Sequence, residues 1–148
     1  MPQSLTCFHC HIIFSTRNRQ CLIADNLGQR LYAYMGGVVE NENGKLIAAG
    51  GIADHVHLLV QMHARSSVAE LVRAIRANSS KWLHQTFPTH SALAWQTGYG
   101  AFAVSESNVD RVRQYIEQQP KHHQSRSFKE EFIEFLTRHG VAFDERYQ

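Results

Sequence analysis

The chain has 148 residues, enough for one domain with a true core, and its 43% apolar against 19% charged residues is the balance of a folded protein, not a disordered one. No apolar run approaches the ~20 residues of a membrane helix, and Met1-Pro2-Gln3-Ser4 lacks the basic-then-apolar pattern of a secretory signal, so the cytoplasm is the expected location. Three cysteines, Cys7, Cys10 and Cys21, are too few and too clustered for a disulfide framework, and a net charge of +2 is too small to establish a nucleic-acid partner.

Residues 7–14, aromatic and β-branched without a breaker, read as a strand. Asp25 is placed to cap a helix to about Val39, with Leu27, Leu31, Tyr34, Met35 and Val38 on one face. The stretch from Asn41 to Gly44 reads as a turn, and Lys45 to Gly51 as a strand. Gly50 and Gly51 permit a sharp bend or bulge before a further strand from Ile52 to Met62. Ser67 and Glu70 form a capping box for a helix carrying Val68, Leu71, Val72, Ile75, Trp82 and Leu83 at helical spacing. Gly98-Tyr99-Gly100 is a loop, followed by a short strand from Ala101 to Val104. Ser107 and Asp110 open a helix through Gln119, which Pro120 is expected to stop. Ser127 with Glu130 is another capping box, and Gly140 closes the last helix. The expected fold is α+β: a ferredoxin-like β-α-β-β-α-β antiparallel sheet with helices on it and additional C-terminal helices. One domain, 1–148, is expected, with a helical extension over about 127–148.

His55-Val56-His57 is the sharpest local signal. Alternate residues of a strand share a face, so two imidazoles stand side by side and can each give a nitrogen to one divalent cation. Such pairs also occur at exposed strand ends, and the spacing alone leaves both readings open. Asp54 is expected on the opposite face, a poor ligand for the same ion. His9-Cys10-His11, with Cys7 nearby, suggests zinc, but no second ligand pair follows, and a strand with Cys10 packed as a small apolar residue reads better.

Tyr115 and Gln119, four residues apart, are expected on one helical face. Alone, they read as a half-buried core tyrosine and a solvated amide. With the histidines the pair gains a chemical logic. A phenol, with a pKa of ~10, attacks a phosphodiester when a cation neutralises the developing charge. Gln119 offers a neutral third ligand, and mixed nitrogen and oxygen donors suit Mg²⁺ or Mn²⁺.

The run from Gly51 to Val60 resembles the signature strand of the single-tyrosine HUH transposases, which include the REP-associated tyrosine transposases. Four further runs resemble that family in the same order: Phe14 to Arg19, Trp95 to Ser105, Tyr115 to Gln119 followed by His122 and His123, and Phe143 to Tyr147. The resemblance implies that Tyr115 attacks single-stranded DNA, forms a 5′-phosphotyrosine link and frees a 3′ hydroxyl. It implies Mg²⁺ or Mn²⁺ held by His55, His57 and Gln119, DNA hairpins as partners, and a homodimer with active sites shared between subunits. Some relatives carry histidine where Gln119 stands. Arg17, Arg19, Arg73 and Arg76 are candidate phosphate contacts. Tyr99 is a candidate for stacking on unpaired bases, whereas Trp95 and Phe102 read better as core. Two alternatives stay open: a domesticated hairpin-DNA-binding protein without transposition, and a metal-dependent nuclease that leaves Tyr115 without a role.

Overall fold

Side chains alternate along β1 (Phe8–Ser15), sending Cys10, Ile12 and Phe14 to one face and His9, His11, Ile13 and Ser15 to the other. This computed structural model describes residues 5–124 and 126–143, so the run from Asp144 to Tyr147 lies outside the described residues. The remaining elements are α1 (Asp25–Asn41), β2 (Lys45–Ile52), β3 (His55–Met62), α2 (Val68–Thr86), β4 (Gly100–Val104), α3 (Val109–Glu117), α4 (Gln119–His122) and α5 (Phe128–Arg138).

The four strands form one antiparallel sheet in the order β2-β3-β1-β4, as the ferredoxin-like chain order requires. β1 and β3 lie at the centre with helices over both faces, and are therefore buried on both. Cys10, Ile12 and Phe14 of β1 join Val56, Leu58 and Val60 of β3 beneath α1 and α2, which supply Leu31, Met35, Val72 and Ile75. Trp95 packs edge-on against Phe14 in this core, at 4.9 Å between ring centres. The opposite face is covered by α3 through Ile116 and by α5 through Phe128, Phe132, Phe135 and Leu136. Phe102 is buried there with Ile13.

Several boundaries differ from the sequence reading. Asp25 is the first residue of α1, not its cap; Ala24 holds the cap position. The strand expected from Ile52 is divided, because a turn at Ala53 and Asp54 joins Ile52 of β2 to His55 of β3. The bulge of β2 lies between Leu46 and Ala48, not at the glycines. Gly50 instead allows close approach: it pairs with His57, and a Cβ there would meet the Ile116 carbonyl of α3.

Pro120 does not simply end the tyrosine helix. α3 stops at Glu117, Gln118 breaks the helical geometry (φ −102°, ψ 19°), and Pro120 sits in the first turn of α4. A proline has no N–H to continue the α3 ladder, but the first turn of a new helix has no use for that donor. Ser67 and Ser127 cap α2 and α5 by accepting from the Glu70 and Glu130 amides. Gly140 follows α5 with φ +67°, the left-handed backbone that favours glycine.

Candidate active site

β3 carries His55, His57 and Leu59 on the face under α3 and α5, and both imidazoles are fully buried. Their spacing in the strand puts the ring centres 5.1 Å apart. Each ring is also held from outside. Asp54, in the hairpin turn, places its carboxylate 2.7 Å from His55 Nδ1, so it orients a site residue instead of pointing away. His11, diagonal to His57 across β1 and β3, brings its Nε2 to 2.8 Å from His57 Nδ1. His123, just past α4, donates from Nδ1 to the Arg126 carbonyl at 2.7 Å.

With those outer nitrogens engaged, the Nε2 atoms of His55, His57 and His123 all face inward. They meet oxygen acceptors. Gln119 Oε1 is 3.2 Å from His55 Nε2 and 2.9 Å from His123 Nε2. Glu131 Oε1 is 2.9 Å from His57 Nε2, 3.3 Å from His123 Nε2 and 3.6 Å from His55 Nε2. An imidazole whose Nδ1 gives its hydrogen outward presents a lone pair at Nε2. Lone pairs gathered around two oxygens repel unless a proton or a cation lies among them. The donor set thus fits a divalent cation on its own chemistry, with outer partners of the kind that fix metal-binding histidines.

Tyr115 enters from α3. Its hydroxyl donates to Glu131 Oε2 and receives Arg126 Nη2 at 3.2 Å. Gln119 Nε2 donates to the same carboxylate oxygen at 3.1 Å. His55, His57, Tyr115 and Gln119 therefore converge on one buried carboxylate within one chain. The break at Gln118 does not separate Tyr115 from Gln119.

Burial works against a charged His55, but the Asp54 and Glu131 carboxylates outweigh it and raise its pKa to about 8. His57 is buried more completely. Burial lowers its pKa to about 4 despite Glu131. His11 is lowered as well, first by burial and then by His57. Burial opposes ionisation of Glu131, yet the groups bonded to it, led by His55 and His57, hold its carboxyl well below the usual range. Tyr115 is raised by burial and by the adjacent Glu131 charge, with Gln119 and Arg126 pulling the other way.

The expected DNA contacts are dispersed. Arg17 and Arg73 are exposed, on the turn after β1 and on α2. Arg19 lies with its guanidinium 5.9 Å from the Phe128 ring centre. Arg76 donates to the Gln96 and Gly98 carbonyls at 2.7 and 2.9 Å, which fastens the loop before β4, and it stands 5.6 Å from the Tyr99 ring centre. Arg19, Tyr99, Phe128 and Lys129 line an open cavity of about 960 Å³ next to the histidines, whose His55 stacks on Phe128 at 4.5 Å. Cys10 is buried, and desolvation raises its thiol to about 11. Cys7 and His9 instead gather with Glu106 near the surface, apart from His11.

Glu131 and His123 were not anticipated as site residues. Glu131 has a signal in the sequence: it lies on the stripe of Phe128, Phe132 and Phe135, where a carboxylate is out of place unless it has partners. His123 falls in the family-like run after Gln119, but its spacing does not mark it for the site, because its position depends on the break at Gln118.

Residues 4–119 match the family described as "Transposase IS200 like". The ISDra2 transposase TnpA of Deinococcus radiodurans is 21% identical over 114 residues, covering 74% of this chain and 81% of that protein. The transposase for insertion sequence element IS200 of Salmonella typhimurium is 23% identical over 114 residues, 74% of each chain. In fold, the chain is similar to a crystal structure from Deinococcus radiodurans R1 described as a transposase, with TM-score 0.64, 23% identity, and 80% of this chain and 98% of that one covered. It is also similar to a REP-associated tyrosine transposase bound to a REP hairpin, with TM-score 0.60, 16% identity, and 83% and 74% covered. Among the described residues, no helix is long and apolar enough to cross a membrane. With the match extending over residues 4–119 and including the histidine pair, the tyrosine and the glutamine, this chain belongs to the IS200-like transposase family.

Proposed function

We propose that this transposase cuts and rejoins single-stranded DNA bearing hairpins through a 5′-phosphotyrosine intermediate on Tyr115. The observation that carries the reading is the meeting of the Tyr115 hydroxyl and the His55 and His57 cluster on one buried carboxylate. Tyr115 Oη forms the bond to phosphorus, the bond from phosphorus to the 3′ oxygen breaks, and the proton lost by the phenol is balanced by the one gained at the 3′ hydroxyl. Rejoining runs the same exchange in reverse and needs no nucleotide triphosphate. Arg126, at the Tyr115 hydroxyl, is placed to favour the phenolate. His55, His57 and Gln119 would hold Mg²⁺ or Mn²⁺, which supplies charge neutralisation at the scissile phosphate when bound. Arg17, Arg19, Arg73 and Arg76 are proposed backbone contacts, Arg76 acting through the loop that it fastens.

The test is incubation with hairpin-bearing single-stranded oligonucleotides and Mg²⁺ or Mn²⁺, followed by denaturing electrophoresis. A covalent adduct is expected, lost in Tyr115→Phe and strongly reduced in His57→Ala. An adduct that persists in Tyr115→Phe overturns the nucleophile. Cleavage without an adduct favours a metal-dependent nuclease, and binding without cleavage favours a domesticated hairpin-binding protein. We further propose a homodimer as the active unit. Mixing Tyr115→Phe with His57→Ala protein restores the adduct if subunits share sites. It restores nothing if each site is completed within one chain, the arrangement that the contacts of Tyr115 favour.

A further inference from the structure

We infer that Glu131 is a ligand of the same cation, the carboxylate that turns a neutral donor set into a charged one. The inference rests on the metal reading above. His55, His57 and Gln119 alone carry no negative charge, whereas Mg²⁺ and Mn²⁺ are ordinarily held through one or more carboxylates. Glu131 supplies that charge from α5, beyond the residues 4–119 that define the family match.

Convergence, not any single distance, supports ligation: three inward imidazole nitrogens gather on one carboxylate oxygen, more than one hydrogen bond accounts for. Neighbouring ligands of an octahedral ion at ~2.1 Å lie roughly 3 Å apart. Glu131 Oε1 stands 2.9, 3.3 and 3.6 Å from the inward nitrogens of His57, His123 and His55, a cluster about one ion. The candidate ligand atoms of these four residues all lie within 4.8 Å of one another. The second oxygen of Glu131 takes the Tyr115 hydroxyl and Gln119 Nε2, so a single side chain spans the nucleophile and the metal set. α5 positions it: Ser127 caps the first turn, and Phe128, Phe132 and Phe135 pack the helix on the sheet.

The test follows Mn²⁺ binding by electron paramagnetic resonance, titrating the full chain and watching the free-ion signal fall. Wild type is expected to bind Mn²⁺, and Glu131→Gln to bind it about tenfold or more weakly while keeping its circular dichroism. Glu131→Gln binding as tightly as wild type, or more tightly, overturns the inference and makes Glu131 a plug that the metal displaces. If that outcome comes with weakened binding in His57→Ala, the metal reading survives without Glu131. If wild type binds no Mn²⁺, both readings fall. Should Glu131→Gln misfold, wild type labelled with ¹³C at the glutamate carboxylates decides by electron–nuclear double resonance: a carbon coupling to bound Mn²⁺ supports ligation, and its absence overturns it.

Discussion

Gly50→Ala tests whether the nucleophile is positioned by the sheet. Gly50 pairs with His57, and the backbone of α3 rests on it one residue from Tyr115. A Cβ at this position would lie 3.0 Å from the Ile116 carbonyl carbon and 3.2 Å from Ile116 Cγ2, and closer still to the carbonyl oxygen. Carbon and oxygen normally keep about 3.3 Å or more apart, so α3 must retreat by roughly 1 Å. Overpacking of this kind costs about 1–3 kcal/mol, which urea unfolding can measure. The same displacement moves Tyr115, and misplacing a reacting group by ~1 Å can cost about 100-fold in rate. The initial rate of adduct formation should therefore fall by one to two orders of magnitude in protein that is still folded. Unchanged stability together with an unchanged rate would refute the claim that contact at Gly50 sets the position of α3.

Two further predictions concern helix capping and pH. Ser67→Ala and Ser127→Ala each remove a side-chain cap and should each cost about 1 kcal/mol in urea unfolding. Adduct formation should fall more in Ser127→Ala, because its helix carries Glu131; equal effects would count against that link. For pH, His57 keeps its proton off until about pH 4 in the folded chain but only to about 6.5 when unfolded, so stability drops as pH falls through that window. His55, raised to about 8, contributes stability that is fully present below about 6.5 and lost as pH rises through 8. The depressed Glu131 carboxyl adds stability above about pH 4.3 and loses it in stronger acid. The metal-free protein should thus be most stable near pH 6.5, as urea midpoints at about pH 5, 6.5 and 8.5 would reveal, and a steady rise or fall across the three would contradict the balance.

The parts legible in the sequence are those set by neighbours along the chain. The pairing of His55 with His57 follows from strand alternation, and the caps at Ser67 and Ser127 from local hydrogen bonding. The element order gave the antiparallel sheet. A bend is legible at Gly50 and Gly51, but the turn falls at Ala53 and Asp54, because the glycines instead stay in β2, where Gly50 admits α3. Pro120 reads as a stop because its missing N–H forbids continuation, yet it sits in the first turn of α4, where that donor is not needed. His11, His123 and Glu131 reach the site through β1, the Gln118 break and α5. Their roles depend on contacts between distant segments, which periodicity does not encode.

The alternation of β1 and β3 also fixes which residues may meet. Sliding β1 by one residue against its neighbours would turn His11 toward α1 and α2 and send Ile12 toward Tyr115. The chain could not lose its chemistry by such a slip while keeping its core, because one error would ruin both. Mispaired sheets therefore eliminate themselves by instability, and molecules that reach the folded state arrive with the imidazole partnership already in place.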